Sequence, residues 1–171
     1  IDLSLSYNRS QVGGLTCEPM ADEKLYFIEA TLDGKALETD TIPLAEIAKH
    51  ALVMPSRPHL LRVLVDDSMA AAGMDPQIVF EMDSVAAMKE LAMNGIASMI
   101  MPIGAVRREI EDGRLRARRV VEPDLSRTLY LVQSERRPAS KGINAVTRLL
   151  RETVKDFLGR DDVGWMPVSK G

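Results

Sequence analysis

The sequence predicts an α/β fold in which helices cover a mainly parallel sheet. Between residues 51 and 113, short apolar runs alternate with segments of helical periodicity, in the order strand, helix, strand, helix, strand, helix. The connectors between these segments are brief, which favours right-handed crossovers and a parallel sheet. The 171 residues, 46% of them hydrophobic and 27% charged, can bury a substantial core as one domain or as two small lobes.

Composition and charge argue against several classes of protein. The formal net charge of -3 provides no overall basic field of the kind that nucleic-acid-binding domains carry. No apolar run approaches the ~18 residues that cross a bilayer, and the opening residues lack the cationic start and cleavage site of an export signal. One cysteine, Cys17, leaves no internal disulfide and fits a reducing compartment. We therefore expect a cytoplasmic protein, and the start on IDLSLSY without a methionine indicates a fragment of a longer one.

The first fifty residues predict two strands and a short helix. Residues 1–7 alternate apolar and polar side chains, as a half-buried strand does, and residues 23–30 form a second apolar run. Pro43 suits the first position of a helix, with Thr41 as a possible N-cap, and this helix is expected to end near His50.

The middle of the chain carries the regular alternation. Ser84 or Asp83 is a candidate N-cap, and Gly73, Gly95 and Gly113 are candidate helix ends. The apolar run before Pro102 has almost no polar side chain, so we expect a fully buried strand. The predicted elements are strand 51–54, helix 59–73, strand 77–82, helix 83–95, strand 96–101 and helix 104–113.

The last third predicts two strands, one long helix and a tail. Residues 114–121 and 128–133 are strand candidates on either side of a turn. Residues 140–158 carry one apolar stripe, and Ser140 is well placed as its N-cap. Residues 161–171 show no periodicity, so we expect a flexible tail.

A ligand crevice is expected where three loops leave the carboxyl ends of the predicted parallel strands. These loops are residues 55–59, 81–84 and 102–104. Each precedes a helix, so its backbone N–H groups and the helix dipole favour a carboxylate or another small anion.

The side chains of these loops allow two interpretations. In the functional one, Ser56 and Ser84 donate hydroxyl hydrogen bonds to the anion and Arg57 adds a bidentate pair. In the structural one, Asp83 and Ser84 only cap a helix and Arg57 is a solvated surface residue. Spacing alone favours the structural interpretation.

Catalytic and metal-binding patterns are absent from the sequence. No GxSxG, HExxH, CxxC, Walker A or GxGxxG motif occurs, and His50 and His59 lack the acidic partners of a metal site. Cys17 has no base nearby in sequence, so a structural thiol is expected. The arginine-rich run at residues 114–119 lacks interleaved aromatic residues and is interpreted as a charged edge strand. We expect no enzyme, no metal and no cofactor.

A longer pattern resembles the effector-binding domain of LysR-type transcriptional regulators. Residues 42–102 carry it, and IDLSLSY and residues 128–157 are similar to the family's preceding strand and to its return strand and last helix. The YNRSQVGGLTCEPM stretch looks closest to the nitrogen assimilation control subgroup. The positions that match the family's usual run are Pro43, Leu44, Pro55, Arg62, Glu81, Ser84 and Gly95 to Pro102.

The resemblance implies two Rossmann-like lobes of the periplasmic-binding-protein type II kind, with a small effector in the cleft between them. Lobe one is then expected at residues 1–50 plus 125–160, truncated at its N-terminus, and lobe two at residues 51–124. The DNA-binding winged helix-turn-helix of the family has no counterpart in this sequence.

The resemblance also implies the effector-contacting residues and the partners. Homodimers or homotetramers are expected, with operator DNA and RNA polymerase contacted only through the full-length protein and no membrane involved. An alternative is the solute-binding receptor of a transporter, which shares the fold. The implied effector contacts are Tyr7, Asn8, Ser56, Arg57, Glu81, Asp83, Ser84, Pro102 and Ile103.

Overall fold

The structure, a computed structural model, describes residues 2–8, 13–31, 40–135 and 140–168. The chain forms two compact units: unit 1 comprises Ile1–Glu23 with Ser126–Gly171, and unit 2 comprises Lys24–Leu125. The described strands are β1 (Leu3–Ser6), β2 (Leu15–Lys24), β3 (Tyr26–Ala30), β4 (Thr41–Pro43), β5 (Leu52–Met54), β6 (Ile78–Glu81), β7 (Met99–Met101), β8 (Leu115–Val121), β9 (Ser126–Ser134) and β10 (Trp165–Met166). The described helices are α1 (Leu44–Ile47), α2 (Leu60–Ala71), α3 (Val85–Met93), α4 (Arg107–Glu111) and α5 (Lys141–Phe157).

Unit 1 is a four-stranded sheet with α5 packed on it. The strand order is β1-β9-β2-β10, and β1 runs antiparallel to β9. The hydroxyl of Ser140 accepts the N–H of Ile143 over 3.2 Å, which confirms the predicted N-cap of α5. Thr147 is buried and its Oγ1 accepts a 2.7 Å hydrogen bond from Nε2 of Gln133. The α5 helix is thereby tied to β9.

The predicted flexible tail at residues 161–171 contains, within its described part, the short strand β10. β10 pairs antiparallel with β2, with Trp165 opposite Glu23. The Trp165 ring also meets Phe157 edge to face, with centroids 6.0 Å apart. A segment without periodicity can still be held in place when one large aromatic side chain finds a partly buried position.

Unit 2 contains both parallel and antiparallel strand pairs. The alternation of strands and helices in the sequence predicts a mainly parallel sheet instead. One sheet has the order β4-β8-β3-β7, and β5 and β6 form a second, parallel pair. β4 is parallel to β8, but β3 is antiparallel to both β8 and β7. Side chains alternate across β3, so Phe27 and Ile28 belong to two different buried clusters, one on each face of the sheet.

The boundary between the units differs from the predicted one near residue 50. β3 and β4 both pair with β8, which places them in unit 2. The run at 23–30 is not one strand, because β2 ends at Lys24 and β3 begins at Tyr26. Leu25, between them, accepts the N–H of Val120 over 3.2 Å but donates its own N–H to the carbonyl of Leu125 over 2.9 Å. The first change of unit therefore follows Glu23, and the second follows Leu125.

Two local predictions are also corrected. Thr41 does not cap α1, because it lies in β4, and Pro43 is the N-cap residue without a side-chain hydrogen bond. The strand predicted from residue 96 begins only at Met99. Gly95 has a positive φ of 67° and the N–H of Ile96 still donates to a helix carbonyl, so these residues complete the end of α3.

None of the helices within the described residues is both long and apolar enough to span a membrane.

Candidate functional site

Three loops leave the same edge of unit 2. β5 and β6 run parallel, so the loops that follow them begin on the same side. Ser98, just before β7, forms a parallel bridge with Leu52, and the N–H of Val53 donates to the carbonyl of Ser98 over 2.8 Å. β7 therefore runs beside β5 in the same direction. The loops at this edge are the predicted ones, residues 55–59, 81–84 and 102–104.

The first two loops are joined by hydrogen bonds. The N–H of Ser56 donates to Oδ1 of Asp83 over 3.0 Å. The N–H of Met82 also donates to the carbonyl of Met54, the last residue of β5, over 3.1 Å. The two loops therefore meet, but a carboxylate of the protein already occupies the Ser56 amide that was expected to be free for an anion.

Arg62, at the start of α2, reaches both loops and is only 8% exposed. Its Nη1 donates to Oε1 of Glu81 over 2.7 Å and to the carbonyl of Pro55 over 3.3 Å. Its Nε donates to Oδ2 of Asp66 over 2.9 Å. Burial acts to lower the pKa of Arg62, but the hydrogen bonds to Glu81 and Asp66 outweigh it, so the pKa lies above its ordinary value. One guanidinium thus braces the ends of β5 and β6.

Arg57 and Ser84 each fit both the structural and the functional interpretation of these loops. The Arg57 side chain is 68% exposed, yet its Nη2 lies 2.6 Å from Oδ2 of Asp66. The hydroxyl of Ser84 accepts the N–H of Ala87 over 3.4 Å, which makes Ser84 the N-cap of α3. Because that contact uses only a lone pair, the hydroxyl hydrogen of Ser84 can still be donated.

The third loop presents apolar surface. Pro102 precedes a 3₁₀ turn at Ile103–Ala105, and both Pro102 and Ile103 are half-buried. Their carbonyls accept the N–H groups of Ala105 and Val106 over 3.1 and 3.0 Å. This loop therefore contributes packing surface at the edge.

Tyr7 and Asn8, the remaining predicted contacts, lie in unit 1. The guanidinium of Arg127 sits 3.6 Å above the centre of the Tyr7 ring. Burial, followed by the charge of Glu23, raises the pKa of Tyr7 to about 12. Asn8 is exposed, and its N–H donates to the Ser6 hydroxyl over 3.0 Å. Tyr7 is thus a packed and neutral phenol.

The sequence did not indicate the group around Tyr7. Glu23 is 6% exposed. Its Oε2 accepts a 2.7 Å hydrogen bond from Nε of Arg127, and its Oε1 accepts one of 3.0 Å from Nε1 of Trp165. No local spacing could reveal these contacts, because the partners are 104 and 142 positions away in the chain. Asp66 was missed as well, although its spacing of four from Arg62 is a helical pairing signal.

A cavity of about 320 Å³ lies elsewhere in unit 2. Its walls come from the end of β3 and from residues that precede β5 and β7. Because β3 is antiparallel to β7, these positions belong to the opposite edge from the three loops. None of the predicted contacts lines it; the residues that do are Glu29, Ala30, His50, Ala51 and 95–98.

The other singled-out residues have structural contacts. The His50 ring packs against Phe27 in a tilted arrangement with centroids 4.9 Å apart, and Nδ1 of His59 accepts the N–H of Leu61 at the start of α2. Within the described part of the chain, no three His, Cys, Asp or Glu side chains are grouped to hold a metal ion.

The arginine-rich strand is β8, and it is not an edge strand. It lies between β4 and β3. Arg116 and Arg118 are largely buried and pair with Glu29 at 3.2 and 3.1 Å. The prediction of a charged edge was wrong because these cations have a partner on the neighbouring strand.

The fold is that of the periplasmic-binding-protein type II class, as solved structures of regulatory domains show. The effector-binding domain of QuiR in complex with shikimate matches with a TM-score of 0.73 at 20% identity, over 91% of this chain and 72% of that one. The regulatory domain of Synechocystis PCC6803 CcmR in complex with 2-PG matches with a TM-score of 0.77 at 18% identity, over 91% and 74%.

The sequence comparisons define the family. The sequence model of the LysR substrate binding domain family matches residues 1–155. The chain therefore belongs to that family. The nitrogen assimilation regulatory protein nac of Klebsiella aerogenes is 25% identical over 154 residues, which are 90% of this chain and 49% of that protein. The regulator BbuR of Bordetella bronchiseptica is 27% identical over 119 residues, 69% of this chain and 36% of that protein. The chain thus spans about half the length, or less, of these relatives.

Proposed function

We propose that this chain senses a small-molecule effector for a LysR-type transcriptional regulator, and that the effector binds at the three-loop edge of unit 2. The proposed contacts there are Ser56, Arg57, Glu81, Asp83 and Ser84, with Pro102 and Ile103 as apolar wall. The roles of Tyr7 and Asn8 remain a prediction of the resemblance.

The observation that carries this proposal is the bracing of polar loop tips by a buried cation. Arg62, which is buried, donates hydrogen bonds to the Pro55 carbonyl and the Glu81 carboxylate. Arg57 and Asp83 in the same loops are exposed. Rigidly supported polar groups at the carboxyl edge of a parallel sheet form the usual ligand position of α/β folds. The complexes of QuiR with shikimate and of CcmR with 2-PG support small-molecule binding by this fold.

The proposed output is a change in DNA binding by the full-length regulator. An effector that binds one conformation better than another shifts the population between them, and the difference in affinity limits the size of the shift. No bond is made or broken, so the chain is not an enzyme. Contacts with operator DNA and RNA polymerase require the full-length protein, which as a homodimer or homotetramer acts in the cytoplasm.

A thermal-shift screen tests the binding function. The chain is heated with single members of a panel of amines, polyols, amino acids and carboxylates, and at least one is expected to raise the melting temperature in a concentration-dependent way. Ser84→Ala should weaken that response. If no member stabilises the wild-type chain, the proposed function is contradicted.

Ser140→Ala provides the matched control. Ser84 and Ser140 are both N-cap residues whose hydroxyls accept a backbone N–H, at 3.4 and 3.2 Å. Loss of either cap should cost about 1 kcal/mol of stability. Only Ser84→Ala should also reduce the stabilisation by the ligand, because Ser140 lies at the start of α5 in unit 1.

A further inference from the structure

Three of the hydrogen-bond donors at the three-loop edge are already engaged with carboxylates of the protein. The N–H of Ser56 is bound to Asp83 at 3.0 Å. Arg57 is held by Asp66 at 2.6 Å, and Arg62 is shared between Asp66 and Glu81 at 2.9 and 2.7 Å. An anionic ligand would have to displace one of these internal carboxylates to bind the Ser56 amide or to take over the contact that either arginine makes with Asp66 or Glu81.

The groups still able to bind a ligand are mainly acceptors. The Glu81 side chain is 50% exposed, and Asp83 is exposed as well. Each carboxylate has about four lone-pair positions, and the described contacts to Glu81 and Asp83 use one oxygen of each. The side chains at this edge include two arginines and three carboxylates, so together they carry a net negative charge. They are Arg57, Arg62, Asp66, Glu81 and Asp83. A ligand that brings hydrogen-bond donors is therefore favoured over one that brings a carboxylate.

We infer that Asp83 determines the ligand chemistry of this site: its carboxylate fills the anion position at the Ser56 amide, so the effector presents ammonium or hydroxyl donors there. The inference rests on the proposed function. It reverses the expectation of an anionic effector, which depended on free N–H groups at these loops.

Two substitutions separate the charge of Asp83 from its occupation of the amide. Asp83→Asn removes the charge but keeps an oxygen that can accept the Ser56 N–H. Asp83→Ala removes both and leaves that N–H free. Asp67→Asn is the control, because Asp67 is an exposed residue of α2 and its substitution changes the net charge equally.

The probes are 2-amino-1,3-propanediol and glycerate, which have three carbons and differ in carrying an ammonium or a carboxylate group. Amide NMR spectra of the chain are recorded during titration with each probe, and the Ser56 and Ser84 signals report binding at the loops. The wild-type chain and Asp67→Asn should bind the amine more tightly. Both Asp83 variants should lose affinity for the amine by about tenfold, the effect of one hydrogen bond to a charged group.

The carboxylate probe completes the test. Asp83→Ala should gain a glycerate-dependent shift of the Ser56 amide, and Asp83→Asn should gain less. The inference would be overturned if the wild-type chain bound glycerate more tightly than the amine, or if Asp83→Ala kept the wild-type preference for the amine. Either result would contradict the ligand chemistry but not the location of the site. No shift of the loop amides with either probe in any variant would overturn the site as well.

Discussion

Nη1 of Arg62 donates a 2.7 Å hydrogen bond to the carboxylate of Glu81, which fastens the first turn of α2 to the end of β6. The same nitrogen also bonds the carbonyl of Pro55 beyond β5. A residue that is 8% exposed thus connects two loops that belong to the candidate site.

Replacement of Arg62 should be strongly destabilising. Arg62→Met keeps most of the side-chain volume but removes a cation that neutralises Asp66 and the hydrogen-bond donor to the Pro55 carbonyl. The free energy of unfolding should therefore fall by about 3 kcal/mol. Urea unfolding followed by circular dichroism measures it. Arg114→Met is the control, because the Arg114–Asp112 pair is half-exposed and such pairs contribute at most about 1 kcal/mol. Equal losses in the two variants would contradict the bracing role.

Tyr7 should make the stability of unit 1 depend on alkaline pH. Its pKa of about 12 lies above the value of ~10 for an unfolded chain. The unfolded state therefore loses the phenol proton first, and this contribution is complete below about pH 10 and disappears as pH rises to about 12. The difference in unfolding free energy between wild type and Tyr7→Phe should shrink over that interval. A constant difference would mean that the Tyr7 phenol titrates normally.

The Trp165 indole should contribute measurably to the stability of unit 1. Trp165→Phe keeps an aromatic ring but removes the N–H that Oε1 of Glu23 accepts, which should cost about 1–3 kcal/mol because Glu23 is buried. Met166→Ala changes the other residue of β10, which is 43% exposed, and should cost less. If the two substitutions have the same small effect in urea unfolding, β10 is held by its backbone pairing alone.

The pair of Lys89 and Glu109 should give unit 2 an acid-dependent stability. Nζ of Lys89 donates to Oε1 of Glu109 over 2.7 Å, and chiefly this bond lowers the pKa of Glu109 below its ordinary 4.5. Stability from the pair is present above that pH and is lost as pH falls through the lowered pKa. Lys89→Met should flatten the decline between neutral and acid pH, and Lys155→Met on α5 should leave it unchanged.

The elements that could be predicted from the sequence are those with local signals. Helical periodicity and an N-cap serine defined α3 and α5, and short apolar runs located β5 and β6. The unit boundary after Glu23 could not be found in this way, because it depends on β3 pairing with β8 almost ninety residues later. The position of β8 depends on the same pairing, and Trp165 on its contact with Glu23.

The meeting of the three loops was predictable from the sequence, but the hydrogen bonding of their amides was not. Loops that follow parallel strands meet at one edge, so Ser56 and Asp83 were expected near each other. Whether a loop amide is free or bound depends on side-chain direction, which spacing does not specify, and here the Asp83 carboxylate takes the Ser56 amide.

The most direct measurement is an NMR titration of the chain with the compound that stabilises it most in the thermal screen. We predict that the largest amide shifts occur at Ser56, Asp83 and Ser84, and that they saturate with the affinity measured by calorimetry. Saturable shifts confined to residues 95–98, beside the cavity at the opposite edge of unit 2, would contradict the proposed site.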